Sequence, residues 1–157
     1  MTTTDEQRLR EAGMRVTRPR LAVLAVLAEA AAGGRHLPVS DIVSATRTRL
    51  GDVSTQAVYD CLEALRRAGL VRRVETAGSP ARYEARVGDN HHHLVCRECG
   101  DTVDVDCAVA GAPCLQPSAS HGFVIDEAEV VFWGVCPACA HRATAPHRNE
   151  DREDEDD

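Results

Sequence analysis

Lysine is absent from this 157-residue chain, and all 18 basic residues are Arg. Aromatic residues are scarce as well: two Phe, two Tyr and one Trp. Any core must therefore rest on Leu, Val and Ala, and small aliphatic cores are marginal without a staple. No apolar run approaches the ~20 residues needed to span a bilayer, which argues against a helical membrane protein and a membrane partner. The chain opens Met1-Thr2-Thr3-Thr4-Asp5-Glu6, with no basic stretch leading into an apolar one. That start predicts no signal peptide and a cytoplasmic address. The length suits one ordinary domain or two small ones.

The charge that is present is unevenly spread. The chain carries −7 in total, yet residues 1–90 hold 14 Arg against 11 acids, a net of +3. Residues 91–148 are net −4, and residues 149–157 hold 7 acids against one Arg. The first half is the nucleic-acid candidate, since Arg suits phosphate and guanine contacts. The tail reads as disordered and solvated.

Apolar spacing supplies the elements. Thr4 and Gln7 form a capping-box pair for a short helix ending at Gly13. Thr17 opens a second helix, with Pro19 in its first turn and Gly33-Gly34 stopping it. A third covers Val39 to Leu50. A fourth starts near Ser54, with Val58, Leu62 and Leu65 on one buried face. After Gly69 the texture becomes extended. Leu70 to Val74 is a strand, Gly78-Ser79-Pro80 a turn, and Ala81 to Glu84 the return strand. Helices followed by a β-hairpin is the order of a winged helix-turn-helix domain. Further on, Thr102–Asp106 and parts of Val124–Val135 read as strands around a weak helix near 108–120.

Seven cysteines in a chain expected to be cytoplasmic point to metal or thiol chemistry before disulfides. Cys96 and Cys99 form one C-x2-C, and Cys136 and Cys139 form another. Two such turns complete a tetrahedral all-thiolate shell with Zn–S near ~2.3 Å, and four thiolates leave no open position, so this zinc should be structural. A redox C-x-x-C would need a thioredoxin-like βαβ context, which the pattern lacks. Cys61 reads as a small buried hydrophobe. Cys107 and Cys114 could pair or react with oxidants, but neither has an obvious neighbouring base.

His91, His92 and His93 precede the first cysteine pair. On an extended segment His91 and His93 share a side and His92 faces the other. Glu84 and Asp104 lie on flanking strands, and His36 lies in the helical half. Together these five offer a mixed nitrogen–oxygen shell suited to Fe(II), Mn(II), Co(II) or Zn(II). His121, His141 and His147 read as structural, surface or tail residues. On the fourth helix Ser54, Thr55, Gln56 and Tyr59 project outward, as the start of a recognition helix does. Gln56 could read adenine, and Tyr59 a thymine methyl or a phosphate. Arg15, Arg18 and Arg20, with Arg72 and Arg73 in the wing, are the candidate phosphate contacts.

Four segments together resemble the ferric uptake regulator family. They are Gly13-Met14-Arg15-Val16-Thr17-Arg18-Pro19-Arg20, Val53-Ser54-Thr55-Gln56-Ala57-Val58-Tyr59, Ala81-Arg82-Tyr83-Glu84, and His91-His92-His93-Leu94-Val95-Cys96-Arg97-Glu98-Cys99-Gly100. The resemblance spans about Arg8 to Cys139 and is closest to the actinobacterial peroxide- or redox-responsive branch. It implies an α+β chain: a winged-helix DNA-binding domain over 1–84, a hinge over 85–92, a zinc-stapled α/β dimerisation domain over 93–145, and an acidic tail over 146–157.

It further implies structural zinc on Cys96, Cys99, Cys136 and Cys139, and a regulatory Fe(II), Mn(II) or second Zn(II) on His36, Glu84, His91, His93 and Asp104. The partners implied are a second copy of the chain and palindromic double-stranded operator DNA. The function implied is a metal-dependent repressor, not an enzyme, responding to peroxide and controlling antioxidant genes such as a catalase-peroxidase. An iron- or zinc-availability sensor controlling metal uptake is the alternative. With Fe(II) bound, peroxide could damage His36 or His91 and release DNA, or it could attack the zinc thiolates. Two departures stand out. A further site in some relatives uses a carboxylate between the paired histidines and a histidine on the last strand, where this chain has His92 and about Ala128. The usually basic position after Tyr59 is Asp60.

Two rivals lie outside the family. A hydrolytic metalloenzyme needs an open coordination position and a general base, but the spare carboxylates Asp89, Asp101 and Asp106 have no nucleophile motif beside them. A zinc-ribbon module without DNA binding would show no salt-dependent gel shift.

Overall fold

The computed structural model describes residues 4–75, 80–89, 91–107, 114–125 and 128–144. The first half is helical. α1 (Asp5–Glu11) begins at Thr4, whose hydroxyl accepts from the Gln7 N–H while the Gln7 side chain accepts from the Thr4 N–H. α2 (Arg18–Ala32) starts at Thr17 with Pro19 in its first turn, and Thr17 makes no side-chain cap. α3 (Val39–Leu50) ends at Gly51, whose φ of 82° only glycine adopts freely. α4 (Thr55–Arg67) is capped by the Ser54 hydroxyl, which accepts the Ala57 N–H at 3.1 Å.

Leu24 and Leu27 of α2, Ile42 of α3, and Val58, Leu62 and Leu65 of α4 are fully buried together, with Leu9 from α1. This aliphatic core has one aromatic member, Tyr83. Tyr83 sits on the central strand of a small antiparallel sheet. Its order is β1 (Leu37–Pro38), β3 (Arg82–Glu84), β2 (Arg72–Val74). The two-residue β1 carries no sequence signal of its own and exists because β3 offers it an edge.

The second half is a three-stranded sheet with β4 (His91–Cys96) in the middle. β5 (Thr102–Asp106) pairs with it antiparallel, and β6 (Val131–Gly134) pairs parallel. α5 (Pro137–Thr144) follows. The two sheets meet through an Arg35–Val103 bridge and the Asp104 N–H, which donates to the Gly34 carbonyl at 3.2 Å. The junction thereby delivers His36 and Asp104 to one place.

Two expectations are refined and one element is new. Of Val124–Val135, parts of which were expected to be extended, Val131–Gly134 forms the strand, with 123–125 and 128–130 irregular. α5 was not anticipated, because Pro137 and the cysteines mask its periodicity. The expected helix near 108–120 has no helical residue from 114 to 120, while 108–113, the turn residues 78–79 and the acidic tail lie outside the described residues.

Candidate metal centres

Cys96 ends β4, Cys99 sits in the turn after it, Cys136 follows β6, and Cys139 is on the first turn of α5. The four sulfurs all lie within 4.8 Å of one another, with Cys99 Sγ and Cys136 Sγ 3.7 Å apart. The Cys136 N–H donates to Cys96 Sγ at 3.3 Å, the inward amide of a knuckle turn. Backbone amides, from Cys136 first, pull the Cys96 thiol down to about 6. At Cys99 a backbone hydrogen bond at Asp101 favours the thiolate, but the neighbouring sulfurs, Cys96 foremost, push it up to about 12. Four thiolates at this separation repel one another unless a cation stands among them, which is the donor set zinc prefers. The Arg142 guanidinium adds a contact to Cys139 Sγ at 2.8 Å.

The second centre gathers residues distant in sequence. His36 follows α2, Glu84 ends β3, His91 and His93 share one face of β4, and Asp104 lies opposite His93 on β5. One donor atom from each falls within 4.8 Å of all the others. His36 Nε2 is 2.7 Å from Glu84 and 3.2 Å from Asp104; His91 Nε2 is 3.2 Å from Glu84; His93 Nε2 is 3.7 Å from Glu84 and 3.8 Å from Asp104.

The outer nitrogens show how the rings are set. His36 Nδ1 lies 3.3 Å from the Thr102 carbonyl, His91 Nδ1 2.9 Å from Asp89, and His93 Nδ1 2.9 Å from Glu129. The Thr102 and Asp89 oxygens accept, so His36 and His91 each carry the hydrogen on Nδ1, while His93 Nδ1 stands against Glu129 without a hydrogen bond. The neutral His36 and His91 rings then each turn an Nε2 lone pair onto carboxylate oxygens. That arrangement is repulsive until a proton or a cation enters. His36 Nε2, His93 Nε2, Glu84 Oε1 and Asp104 Oδ1 are buried with no hydrogen-bond partner among the described residues. Such orphans are costly, and a bound ion satisfies all four at once.

The electrostatics agree. Burial raises the Glu84 carboxyl, but the adjacent His36 and His93 rings, which favour its charged form once they take up a proton, outweigh it and bring it to about 2. Burial works against charge on His93, yet Glu84, then Glu129 and Asp104, hold its proton above the usual imidazole range. Outside the ligands Arg86 organises the acids. It donates to Asp89 at 2.6 Å and to Asp106 at 2.7 Å, and it stands 3.7 Å from Asp104. Sequence reading treated Asp89 as spare and did not single out Arg86 or Glu129, because these supports become visible only once the strands are paired.

The candidate nucleic-acid face is on α4. Ser54, Thr55, Gln56 and Tyr59 are exposed, and Gln56 Nε2 donates to Asp60 at 2.8 Å. Arg47 donates to the Thr55 hydroxyl at 3.2 Å. Arg15 and Arg18 are exposed; Arg20 is half-buried and donates to the Arg15 carbonyl. On β2, Arg73 pairs with Glu75 and Arg72 lies 3.8 Å from Glu129.

Residues 11–132 match the model of the ferric uptake regulator family. The chain belongs to that family. It is 58% identical over 134 residues to transcriptional regulator FurA of Mycobacterium tuberculosis, covering 85% of this chain and 88% of the relative. It is 29% identical over 136 residues to the peroxide operon regulator of Bacillus subtilis, covering 85% and 90%. Among solved structures, the Vibrio cholerae ferric uptake regulator matches with a TM-score of 0.67 and 26% identity over 84% of this chain and 99% of that one. The protein is thus a metal-responsive transcriptional regulator, not an enzyme. No helix among the described residues is long and apolar enough to cross a membrane.

Proposed function

We propose that this regulator is a homodimeric, metal-dependent repressor of palindromic operator DNA, answering to peroxide and controlling antioxidant genes. The observation that carries the metal dependence is the five-residue cluster. Its ligands would come from the helical half (His36), the end of the first sheet (Glu84) and the second sheet (His91, His93, Asp104), and four of its buried donor atoms, His36 Nε2, His93 Nε2, Glu84 Oε1 and Asp104 Oδ1, lack partners. Fe(II), Mn(II) or Zn(II) suits the nitrogen–oxygen set, while the four thiols suit structural zinc. When bound, the ion supplies the positive charge that the converging lone pairs lack. His36 and Glu84 then stay docked on β4 and β5. This fixes the orientation of α4 relative to the second sheet.

In this reading residues 1–84 form the winged-helix DNA-binding domain, 85–92 a hinge, 93–145 the zinc-stapled dimerisation domain, and 146–157 a solvated tail. The α4 start, Ser54, Thr55, Gln56 and Tyr59, meets base edges while Arg15, Arg18 and Arg20 meet phosphates. A row of exposed apolar side chains supports the dimer. Val103, Leu94 and Phe132 are direct neighbours across β5, β4 and β6, exposed by 39%, 49% and 46%. An apolar row of this kind on a sheet is what a second copy would cover. Two such copies set the spacing between two α4 helices, which a palindrome reads.

The test is operator binding by zinc-replete protein loaded with Fe(II) or Mn(II), before and after micromolar peroxide. Binding that appears with either metal and is lost to peroxide only with Fe(II) is the expected result. Binding with Fe(II) that survives peroxide would favour metal availability as the signal. Binding that ignores metal altogether would remove the switch.

A further inference from the structure

A third cluster lies on the opposite face of β4 from the five-residue centre. His92, Cys107 and Cys114 bring one donor atom each within 4.8 Å of the others. His92 is buried, and the two cysteines are half-buried with neither in a disulfide. Two sulfurs and an imidazole would suit a soft metal, so the ring's orientation decides between metal and thiol chemistry.

The four histidines of the two clusters are set in opposite ways. In His36, His91 and His93 the Nδ1 atom faces an oxygen, which leaves Nε2 free to ligate. In His92 the Nδ1 atom faces a donor: the Val130 N–H points to it at 3.2 Å. Nδ1 must therefore accept, and the neutral ring carries its hydrogen on Nε2. That Nε2 lies 3.2 Å from Cys114 Sγ. His92 thus presents an N–H to sulfur where a ligand would present a lone pair. A thiolate accepts such a bond more strongly than a thiol.

We infer that Cys114 and Cys107 form a dithiol that hydrogen peroxide oxidises to a disulfide, with His92 donating to the Cys114 sulfur. Cys114 sulfur attacks one peroxide oxygen as its thiolate. The S–O bond forms, the O–O bond breaks, and the departing hydroxide takes a proton to become water. Cys107 sulfur then attacks the resulting sulfenic acid. The S–S bond forms, the S–O bond breaks, and a second water leaves. Two thiols and one peroxide become one disulfide and two waters, and the two electrons pass from sulfur to peroxide. The pair also adjoins the five-residue centre, because Val130 holds His92 while its neighbour Glu129 stands against His93 Nδ1.

This chemistry does not depend on the regulatory reading and is tested without DNA. Zinc-replete, iron-free full-length protein is treated with hydrogen peroxide, and thiols are mapped by differential alkylation and peptide mass spectrometry while a chromogenic chelator follows zinc release. The expected result is a Cys107–Cys114 disulfide formed before zinc leaves. Cys107→Ser should stop at a dimedone-trappable sulfenic acid on Cys114, and Cys114→Ser should abolish the reaction. His92→Leu should slow it about tenfold, with His92→Gln, which keeps an N–H donor, restoring most of the rate. Thiols at 107 and 114 that stay reduced until zinc is lost would overturn the inference. So would a second thiolate-bound zinc per chain that shields them, or a His92→Leu rate equal to wild type. The Cys107→Ser/Cys114→Ser double variant should keep metal-dependent operator binding, so that failure of either reading is seen separately.

Discussion

At the residue scale, the cost of assembling His36, Glu84, His91, His93 and Asp104 without an ion falls on protons. Glu84 drops from 4.5 to about 2, so its contribution to stability is present above 4.5 and fades as pH falls towards 2. His93 rises from 6.5, so its contribution is present below 6.5 and is lost as pH climbs through the raised value. With zinc on the cysteines and the second centre empty, thermal stability should therefore be greater at about pH 5.5 than at about pH 8. Loading that centre with Mn(II) should reverse the order, because the ion needs His93 deprotonated. A thermal melt that runs the same way with and without Mn(II) would contradict this. The thiol shell allows a sharper readout. Trp133 is the chain's one Trp and stacks under Arg97, whose guanidinium carbon is 5.2 Å from the ring. Cys99→Ser should lose zinc and release Trp133, seen as red-shifted emission, while the helical circular dichroism of residues 5–67 largely remains.

At the element scale, α4 serves two faces at once, and the two should separate on mutation. Leu62 is fully buried, so Leu62→Ala should cost about 2–5 kcal/mol of unfolding free energy, measured by urea titration. Gln56→Ala and Tyr59→Ala remove exposed groups and should leave stability within about 0.5 kcal/mol while weakening operator binding. A large stability loss at Tyr59 would mean it belongs to the core. This division was legible in advance, since Val58, Leu62 and Leu65 repeat at helical spacing and Ser54 is a cap residue. The alternation of His91 and His93 was legible for the same local reason. What sequence could not supply was anything set by pairing between strands. β1 exists only beside β3, Asp89 matters only because Arg86 and His91 meet it, and Cys114 reaches His92 across 22 positions of chain. α5 escaped notice because Cys139 and Pro137 occupy its first turn, where an apolar period would otherwise show.

At the scale of the whole molecule, the junction between the two sheets is thin among the described residues: one backbone bridge, one Asp104–Gly34 hydrogen bond, the long Arg72–Glu129 pair, Arg86 reaching Asp104 and Asp106 from between the sheets, and the five clustered residues themselves. A thin junction lets a small coupling energy decide orientation, since a factor of ten needs only about 1.4 kcal/mol. His36 is the helical half's contribution to the centre, and its removal leaves the thiol shell and the apolar sheet row intact. His36→Ala should therefore keep its zinc and its dimer by sedimentation, yet lose most of the metal-induced gain in operator affinity. Phe132→Glu should do the converse. It places charge on the row shared with Leu94 and Val103, so the dimer should fall apart while the five-residue centre still binds Mn(II). The monomer holds one α4 instead of two, and operator affinity should drop at least tenfold even with metal saturating. A Phe132→Glu protein that remains dimeric would move the dimer interface off this sheet face, and with it the means by which metal binding at one junction could set the spacing between two recognition helices.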